Sequence, residues 1–425
     1  MLPKGWQRRS LGDVAQISSG GTPDRAKAEY WGGTIPWVTT GEIQFNTITD
    51  TAEKITELGL KKSSAKLFPI GTLLMAMYGQ GKTRGQVAKL GIEATTNQNS
   101  AAILLSDTCD PDFFFYYFSW KYQSIREFGQ AGGISHLNAG LLKIIPVPVA
   151  PFLEQRCIAR VLATWDKAIT TTERLLINSR EQTRALQARI LMLRIPRSST
   201  ERNGNTFPPS VQAGIPVLPA TPSGWQRINL GKHLWEARRP IVLEPESTYT
   251  LVTVKRSRGG AQKRERLRGA DIKTPTQFIV RAGDFLISKR QIVHGACGIV
   301  PPELDGAVVS NEYAVLSSDG EIDLQFLRYL SESVYFQQTC FHSSIGIHVE
   351  KMIFRTERWL SWPFNIPPLE EQRRIVKVLD TAATEIVCIE RQLKALVSEK
   401  TALMAQLLTG KRRVNAGKSK EVLPA

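Results

Sequence analysis

The chain has 425 residues, of which 42% are hydrophobic and 22% are charged; this composition indicates a globular protein and excludes one that is mainly disordered. Its 55 Lys and Arg residues outnumber 39 Asp and Glu residues, so the formal net charge is +16 and favours polyanionic partners. The longest apolar runs, Leu73 to Tyr78 and Phe113 to Phe118, are far shorter than the roughly 18 residues of a membrane span. With no secretory signal at the amino terminus and five scattered cysteines outside any Cys-x-x-Cys pair, the sequence predicts a cytoplasmic protein with no membrane partner.

The sequence contains a tandem duplication. The segment Pro3-x-Gly5-Trp6-Gln7-Arg8 recurs near the middle of the chain as Pro222-x-Gly224-Trp225-Gln226-Arg227. The segment Glu154-Gln155-Arg156-x-Ile158 recurs as Glu371-Gln372-Arg373-x-Ile375. The ends of the two copies agree while their middles diverge, so we expect two related domains with different binding surfaces.

Each copy is predicted to be a globular domain followed by a long helical segment. In chain order the predicted segments are a first domain at 1–150, a first helical region at 151–195, a proline-rich linker at 196–222, a second domain at 223–366, a second helical region at 367–412 and a basic tail at 413–425. Both domains are predicted to be α+β, because Gly, Pro and Asn interrupt short strand-like runs and each domain has one aromatic-rich helical segment. The strand-like runs are Thr34 to Thr39, Thr72 to Tyr78, Ser100 to Leu105, Thr248 to Val254, Asp284 to Ser288 and Ala307 to Leu316. The helical segments are Asp112 to Phe128 and Leu324 to Thr339.

The two helical regions have the periodicity of a coiled coil. Apolar residues recur at alternating steps of four and three from Ile158 to Leu193 and from Ile375 to Leu407. Proline followed by glutamate opens both regions, and Gly410 follows the second, as expected at the start and stop of a helix. Because the two stripes have the same phase, we expect the helices to pair with each other; the alternative is that each lies in the core of a helical bundle.

The segment Ala76 to Thr83, with the sequence Ala-Met-Tyr-Gly-Gln-Gly-Lys-Thr, is similar to a phosphate-binding loop. In a true phosphate-binding loop, a strand leads directly into a helix whose amino-terminal amides bind the phosphates. Here the residues Val87 to Ile92 are predicted to form a strand, so Gly79-Gln80-Gly81 is better interpreted as the tip of a hairpin. A P-loop ATPase remains an alternative, in which Ala101 to Asp107 would supply the magnesium-binding strand.

The sequence contains no catalytic motif on which an enzymatic function could rest. His348-Val-Glu350 is similar to part of a deaminase motif, but the Pro-Cys-x-x-Cys segment that such a zinc site requires is absent. A glycine-rich loop for S-adenosylmethionine is absent too. We therefore predict a non-catalytic chain with no metal and no cofactor of its own.

The distribution of basic and amide side chains indicates DNA binding. Seven Lys and Arg residues lie between Lys255 and Arg268, with Glu265 as the only acid. The candidate DNA contacts of the second domain are Arg256, Arg258, Lys263, Arg264, Lys289, Arg290, His294 and Asn311. Those of the first domain are Lys82, Thr83, Arg84, Asn97, Gln98, Ser135 and His136. Because the two sets differ, we expect the domains to bind different sequences. A run of charges can also be only a solvated face, so a coiled-coil interaction protein with an incidental basic surface is a second alternative.

Several ordered motifs are similar to those of one protein family. They are Ser19 to Pro23, Glu29 to Val38 and Gly71 to Gly79 in the first domain, Gly283 to Ser288 and Val309 to Glu312 in the second, and the helix openings Pro151 to Arg156 and Pro368 to Arg373. Through these motifs the chain resembles the specificity subunit of type I restriction-modification systems over essentially its whole length.

The resemblance implies two α+β target-recognition domains, held apart by two long antiparallel coiled-coil helices in a duplicated, pseudo-twofold layout. Each domain would recognise one half of a split, asymmetric target in double-stranded DNA. Two modification subunits would carry the methyltransferase and dock on the helices, and restriction/translocase subunits would complete a cytoplasmic, bacterial complex. S-adenosylmethionine, ATP and magnesium would be bound only by those partners. The positions expected to contact a partner subunit are Glu154, Gln155, Arg156, Glu371, Gln372 and Arg373.

Overall fold

The computed structural model describes residues 2–79, 81–128, 136–195 and 210–414. Their contacts define two units, one formed by Met1–Glu173 with Arg391–Ala425 and the other by Arg174–Glu390. Each unit therefore contains one globular domain and a part of both long helices. None of the helices in these four ranges is long and apolar enough to span a membrane.

Among its described residues, the globular domain of the first unit has ten short strands and five short α-helices. The strands are β1 Gln7–Ser10, β2 Ala15–Ser19, β3 Trp31–Val38, β4 Thr47–Ile48, β5 Glu53–Ile55, β6 Leu73–Ala76, β7 Val87–Leu90, β8 Thr95–Thr96, β9 Ser100–Leu105 and β10 Pro146–Val149. The helices are α1 Leu11–Val14, α2 Glu57–Lys61, α3 Pro111–Trp120, α4 Tyr122–Phe128 and α5 Ala139–Lys143. The first long helix, α6 Phe152–Leu191, follows β10 directly.

The globular domain of the second unit has thirteen strands and three short helices among its described residues. The strands are β11 Gln226–Asn229, β12 Leu234–Glu236, β13 Pro240–Ile241, β14 Thr248–Val254, β15 Ala261–Arg268, β16 Gln277–Ile279, β17 Phe285–Ser288, β18 Cys297–Ile299, β19 Val308–Ser310, β20 Tyr313–Ser318, β21 Ser344–Ile345, β22 Ile353–Phe354 and β23 Pro363–Ile366. The helices are α7 Leu324–Leu330, α8 Val334–His342 and α9 Thr356–Leu360, and the second long helix, α10 Leu369–Leu407, follows β23.

A central sheet divides the core of the first domain into two layers. Its strand order is β2-β9-β6-β7-β4, with β6 antiparallel to both β9 and β7. Leu73 and Met75 point into the core formed with the aromatic helix α3, while Leu74 and Ala76 point into a second apolar cluster on the other face. Because both faces are covered, the strand is a continuous apolar run without the alternation of a half-exposed strand. A three-stranded sheet, β5-β3-β8, completes the domain.

In the second domain a sheet also separates two apolar cores, although its strand order is different. One sheet has the order β12-β20-β17-β18, and Phe285 and Ile287 of β17 point into one core while Leu286 points into another. A five-stranded sheet, β13-β16-β19-β14-β15, places β15 at its edge. The predicted run Ala307 to Leu316 forms two strands, β19 and β20, because the exposed Asn311 and Glu312 make a turn between them.

The duplicated ends of the two copies form equivalent strand pairs. In the first unit β1 is antiparallel to β10, with Gln7 opposite Val149. In the second unit β11 is antiparallel to β23, with Gln226 opposite Ile366. The start of each domain is thereby paired with the strand that leads into its long helix, which explains why the sequence repeats at these two ends.

Each aromatic-rich segment forms two helices where the sequence predicted one. In the first domain the break lies between α3 and α4, where Lys121 is the C-cap of α3. In the second domain Ser333 starts α8 as an N-cap, and its hydroxyl accepts the amide of Phe336 at 3.1 Å. A side-chain acceptor satisfies one of the free amides at a helix start, so a serine inside the apolar run can begin a new helix.

The two long helices run antiparallel within each unit. In the first unit Ile158 and Leu162 of α6 share a core with Met404 and Leu407 of α10. In the second unit Arg180 of α6 pairs with Glu390 of α10, with 2.6 Å between its Nη2 and Oε1. The predicted seam of α10 from Ile375 to Leu407 is buried or half-buried at every step.

Helix starts and stops follow the signals in the sequence. Pro151 and Pro368 lie immediately before α6 and α10, and carboxylates occupy the first turn of both helices. Gly410 has a φ of +72°, and a Cβ there would lie 2.5 Å from the Cγ of Pro3, so glycine is required by both conformation and space. Part of the predicted linker, residues 196–209, lies outside the described residues, as do residues 415–425 of the predicted tail.

Candidate nucleic-acid interface

The segment that is similar to a phosphate-binding loop is a β-hairpin. Strands β6 and β7 pair antiparallel, with Leu73 opposite Lys89 and Met75 opposite Val87. Gly79, Gly81 and Gly85 have φ values of +128°, +89° and +85°, which is why this turn is rich in glycine. Because the chain enters a strand and not a helix after Thr83, the segment does not present helix amides to a nucleotide phosphate.

The hairpin tip carries the candidate cation Lys82 on its surface. The Lys82 side chain is exposed and Thr83 is half-buried. The Tyr122 hydroxyl donates to the Lys82 carbonyl, and the Arg126 guanidinium donates to that hydroxyl at 2.8 Å, which fixes the turn to helix α4.

Arg84 requires a correction. Its side chain is only 6% exposed, so its guanidinium is turned into the domain and away from any surface that DNA could reach. A buried arginine is retained for packing and internal hydrogen bonding, and we remove Arg84 from the set of DNA contacts.

The amide side chains at 97 and 98 organise the loop before β9. The Asn97 carboxamide oxygen accepts the Thr40 hydroxyl at 3.1 Å, the Ser100 hydroxyl at 3.1 Å and the Asn99 amide at 3.0 Å. Asn97 is therefore mainly a loop-forming residue. Gln98 is exposed, and its carbonyl oxygen accepts the Thr22 hydroxyl.

His136 forms an aromatic stack with Tyr78 that the sequence did not predict. Its ring lies parallel to the Tyr78 ring, with 4.8 Å between centroids and 9° between planes, and Tyr78 is 41% exposed. The Met77 amide donates to the Asn99 carbonyl and the Leu137 amide donates to the Met77 carbonyl, both at 2.9 Å. The loops after β6, before β9 and before α5 therefore meet here. The only indication of this stack in the sequence is Tyr78, a single tyrosine shortly after the apolar strand β6. Ser135 lies outside the described residues.

Most candidate cations of the second domain form ion pairs. Each is joined to a carboxylate of the same unit: Arg256 to Glu350 at 2.9 Å, Lys289 to Glu236 at 2.8 Å, Arg290 to Glu312 at 2.5 Å and Arg264 to Glu265 at 3.0 Å. The Lys289–Glu236 pair is half-buried, whereas the other three pairs are exposed. Exposed pairs contribute about 0–1 kcal/mol and can exchange partners. Their positive charge is partly neutralised in the free protein, which the linear run of basic residues did not reveal.

Arg258 has an internal role. Its φ is +60°, and its Nε donates to the Ser331 carbonyl at 3.0 Å. Its neighbour Ser257 has a φ of +53°. The amides of Ser257 and Arg258 donate to the carbonyls of His294 and Gly295 at 2.8 Å. This strained turn is thus fastened to the loop before β18, and Arg258 helps to hold it there.

His294 requires a second correction. It is 1% exposed, and its two ring nitrogens lie 3.0 Å from the Ser210 hydroxyl and 3.0 Å from a Glu350 carboxylate oxygen. Burial, followed by the charge of Arg256, lowers the pKa of His294, while Glu350 opposes that shift. A histidine that is buried to this extent, with Ser210 and Glu350 against its ring, is not available to DNA. Lys263 on β15 and Asn311 between β19 and β20 are exposed, as a DNA contact requires.

The glutamines that open the long helices also require a correction, because they are buried inside their own units. Gln155 accepts the Asp110 amide at 2.8 Å and donates to the carbonyls of Thr108 and Ala150 at 3.1 and 2.8 Å. Gln372 makes the same three bonds, accepting the Asp323 amide at 2.8 Å and donating to Glu321 and Pro367, both at 2.9 Å. Both side chains are 0% exposed, so they attach helix to domain and do not face a partner subunit.

The glutamates of the same motif accept hydrogen bonds from the repeated tryptophans. Trp6 donates its indole N–H to Glu154 and Trp225 donates to Glu371, both at 3.1 Å. The Arg413 guanidinium also binds Glu154, at 2.7 and 2.8 Å. Glu154 is 3% exposed and therefore belongs to the domain interior. The arginines of the motif, Arg156 and Arg373, are exposed and remain available to a partner.

The described residues provide neither a cluster of metal ligands nor a reactive thiol at the buried Cys297. Within residues 2–79, 81–128, 136–195 and 210–414, no three His, Cys, Asp or Glu side chains cluster as metal ligands do. Burial raises the pKa of the Cys297 thiol to about 11, so this thiol remains protonated at neutral pH.

Comparison with known proteins identifies a DNA-specificity domain. The family model described as the type I restriction modification DNA specificity domain matches residues 3–179 and 248–399. The type I restriction enzyme MjaIX specificity subunit of Methanocaldococcus jannaschii is 30% identical over 173 residues, which cover 40% of this chain and 39% of that one. The MjaVIII specificity subunit of the same organism is 21% identical and covers 97% of this chain and 94% of its own. Three curated relatives, including MjaIX, are matched over only 39–41% of their own length.

A solved structure has the same fold. The HsdS subunit from Thermoanaerobacter tengcongensis superposes with a TM-score of 0.53 at 16% identity and covers 97% of this chain and 98% of its own. Together with the two matches of the family model, this confirms the predicted duplication of an α+β domain.

Proposed function

This chain belongs to the family of type I restriction-modification DNA specificity domains, and we propose on that basis that it is a specificity subunit which recognises a split, asymmetric sequence in double-stranded DNA. The observation that carries the proposal is the presence of two copies of the specificity domain in one chain. Their exposed polar residues differ, with Lys82, Gln98 and Tyr78 in the first domain and Lys263 and Asn311 in the second. Two unlike domains support recognition of two unlike half-sites.

The proposal assigns the chemistry to other subunits. Modification subunits would supply the adenine methyltransferase with its S-adenosylmethionine, and restriction/translocase subunits would hydrolyse ATP with magnesium and cut DNA. In this chain the exposed arginines Arg156 and Arg373, each the fifth residue of its long helix, are the part of the repeated motif that such partners could contact. Equivalent positions in the two copies support the binding of two equivalent modification subunits.

The alternatives have less support. A P-loop ATPase requires a helix after the glycine-rich loop, and the hairpin of β6 and β7 supplies none. A coiled-coil interaction protein with an incidental basic surface would not explain why a DNA-specificity domain is matched in both halves of the chain.

Selection from a random pool of duplex DNA tests the proposal. The full chain is co-expressed with its candidate methyltransferase partner, and the retained duplexes are sequenced. We expect two short motifs at a fixed separation. Replacing residues 1–150 by the equivalent domain of another specificity subunit should change one motif and leave the other unchanged. Salt-sensitive retention without any enriched motif would contradict the proposal and favour the coiled-coil interaction protein.

A further inference from the structure

Strand β15 contains an extra residue that changes the direction of its side chains. From Thr248 to Leu251, β14 pairs with Arg268 to Glu265, and from Val252 to Val254 it pairs with Lys263 to Ala261. Arg264 is left over as a β-bulge. Side chains alternate between the two faces of a strand, so one inserted residue reverses the faces of all residues on one side of it.

The bulge brings Lys263 onto the same face as Arg266. Lys263 lies opposite Val252, Arg266 lies opposite Thr250, and Val252 and Thr250 are two positions apart on β14. Without the bulge, Lys263 and Arg266 would be three positions apart in one regular strand and would point to opposite faces. The irregularity therefore places two cations side by side, although their spacing in the sequence predicts the contrary.

These two cations differ from Arg264 and Arg268, the other two cations of β15, in having no internal anion among the described residues. Lys263 and Arg266 are both exposed, and neither forms an ion pair or a side-chain hydrogen bond with any residue that the structure describes. By contrast, Arg264 is paired with Glu265 at 3.0 Å, and Arg268 is paired with Asp271 at 3.3 Å. A phosphate that approached this face could bind Lys263 and Arg266 directly, because neither cation must first dissociate from a carboxylate.

We propose that Lys263 and Arg266, aligned by the bulge at Arg264, bind the phosphate backbone of DNA at the half-site of the second domain. The inference rests on the proposed function, and it names the surface through which that domain gains affinity. β15 is the edge strand of its sheet, so its main chain and its cations can approach a duplex without another strand in between. Two phosphate contacts add to affinity for all sequences alike, while base recognition lies elsewhere in the domain.

The competing explanation is protection of the sheet edge. Charged side chains on an edge strand also prevent pairing with the edge of another molecule. That role predicts aggregation when the charges are removed and leaves the dependence of DNA binding on salt unchanged. DNA contact predicts the converse, so one set of variants distinguishes the two.

The test measures DNA affinity over a series of salt concentrations for the full chain with its methyltransferase partner. The duplexes are the target recovered by selection with the unaltered protein and an unrelated sequence of equal length. For Lys263→Ala and Arg266→Ala, we expect the slope of log affinity against log salt to become shallower by about one each. Affinity should fall by the same factor on both duplexes, and the selected motifs should not change.

Two further variants isolate the bulge and the position of the charge. Deletion of Arg264 removes the bulge but leaves Lys263 and Arg266 two positions apart on one face, so its slope should equal that of Arg264→Ala, which removes the same charge and retains the bulge. Arg281→Ala is the matched control, because Arg281 is a 56% exposed arginine of the same domain that is paired with Asp305, and its slope should be that of the unaltered protein.

The outcomes separate this inference from the proposed function. If the unaltered protein enriches two motifs while Lys263→Ala and Arg266→Ala retain its full salt slope, the phosphate contacts are refuted and the specificity subunit stands. Altered motifs at an unchanged slope would likewise refute them, because the two residues would then contact bases. If the unaltered protein enriches no motif at all, the proposed function itself fails.

Discussion

One buried glutamine attaches each long helix to its domain. Gln155 and Gln372 each bind one main-chain amide and two carbonyls, and each is completely buried. The amides that they bind belong to Asp110 and Asp323, whose own carboxylates cap helices α3 and α7. The glutamine thus connects two helix starts through one side chain, which gives a physical reason for the repeat of Glu-Gln-Arg in this sequence.

The change Gln372→Leu should destabilise the second unit. Leucine has a similar volume but leaves the buried Pro367 carbonyl and the half-buried Asp323 amide and Glu321 carbonyl without their partner. A buried polar group without a partner costs about 1–3 kcal/mol. We expect a lower unfolding temperature and faster hydrogen exchange at the Asp323 amide, measured by mass spectrometry. The adjacent Arg373→Ala, at an exposed position, should alter the free energy of unfolding by less than about 0.5 kcal/mol. Equal stability of the two variants would contradict the anchoring role.

The residue types predicted where positive charges lie along the chain, but not whether each charge is free to contact DNA. The sequence marked Arg256, Lys289 and Arg290 as donors, and each is paired with a glutamate that lies more than 20 positions away in the chain. It also marked His294, which is buried against Ser210 and Glu350. Contacts of this kind depend on how strands and loops are assembled, so a single sequence could not distinguish them from free cations.

At the scale of elements, the β6–β7 hairpin shows how geometry decides between two chemistries. Its sequence fits a relaxed phosphate-binding pattern, yet the glycines form a turn between antiparallel strands. Lys82 then projects from a hairpin tip, where it can contact a DNA phosphate but has no helix amides beside it. The prediction of a strand after the turn is confirmed by β7.

The change Lys82→Ala should therefore weaken DNA binding and leave nucleotide binding unchanged. We expect ATP binding, measured by calorimetry with magnesium, to be the same for the variant and the unaltered chain. In a salt series, the slope for DNA should become shallower by about one, because one phosphate contact is lost. Lys54→Ala serves as control, since Lys54 lies in the same domain and is paired with Asp50. Loss of ATP binding in Lys82→Ala alone would support the ATPase instead.

At the scale of the whole molecule, the compact units do not follow chain order. The carboxyl-terminal part of α10 belongs to the first unit, where Met404, Leu407 and Leu408 share a core with Trp6 and Phe113. Arg413 extends this contact by binding the buried Glu154 and the Lys4 carbonyl. The beginning and the described end of the chain thus belong to one folding unit.

An exchange of the first domain with that of another specificity subunit should include the end of α10 that packs against it. A chimera that replaces residues 1–150 alone would place a foreign core against Met404, Leu407 and Leu408, and poor packing of one large apolar side chain costs about 2–5 kcal/mol. We expect a chimera that exchanges residues 1–150 together with 391–412 from the same donor to unfold at a higher temperature, as measured by calorimetry. Equal unfolding temperatures would show that the helix end packs equally well on unrelated domains.

The sequence by itself determined the duplication, the two long helices with their starts and stops, the α+β character of the domains and the family resemblance. These features are encoded locally, in periodicity, capping residues and ordered motifs, so neighbouring positions are sufficient to predict them. The repeated tryptophan and Glu-Gln-Arg segments were visible too, although as motifs without a known contact.

Only the tertiary structure decided which side chains are free to act. Burial removed Arg84 and His294 from the candidate interface and turned Gln155 and Gln372 into internal anchors. An inserted residue in β15 aligned Lys263 with Arg266 against their sequence spacing. The physical reason is common to all of these cases: burial, ion pairing and strand register arise between residues far apart in the chain, and their free energy belongs to the assembled fold.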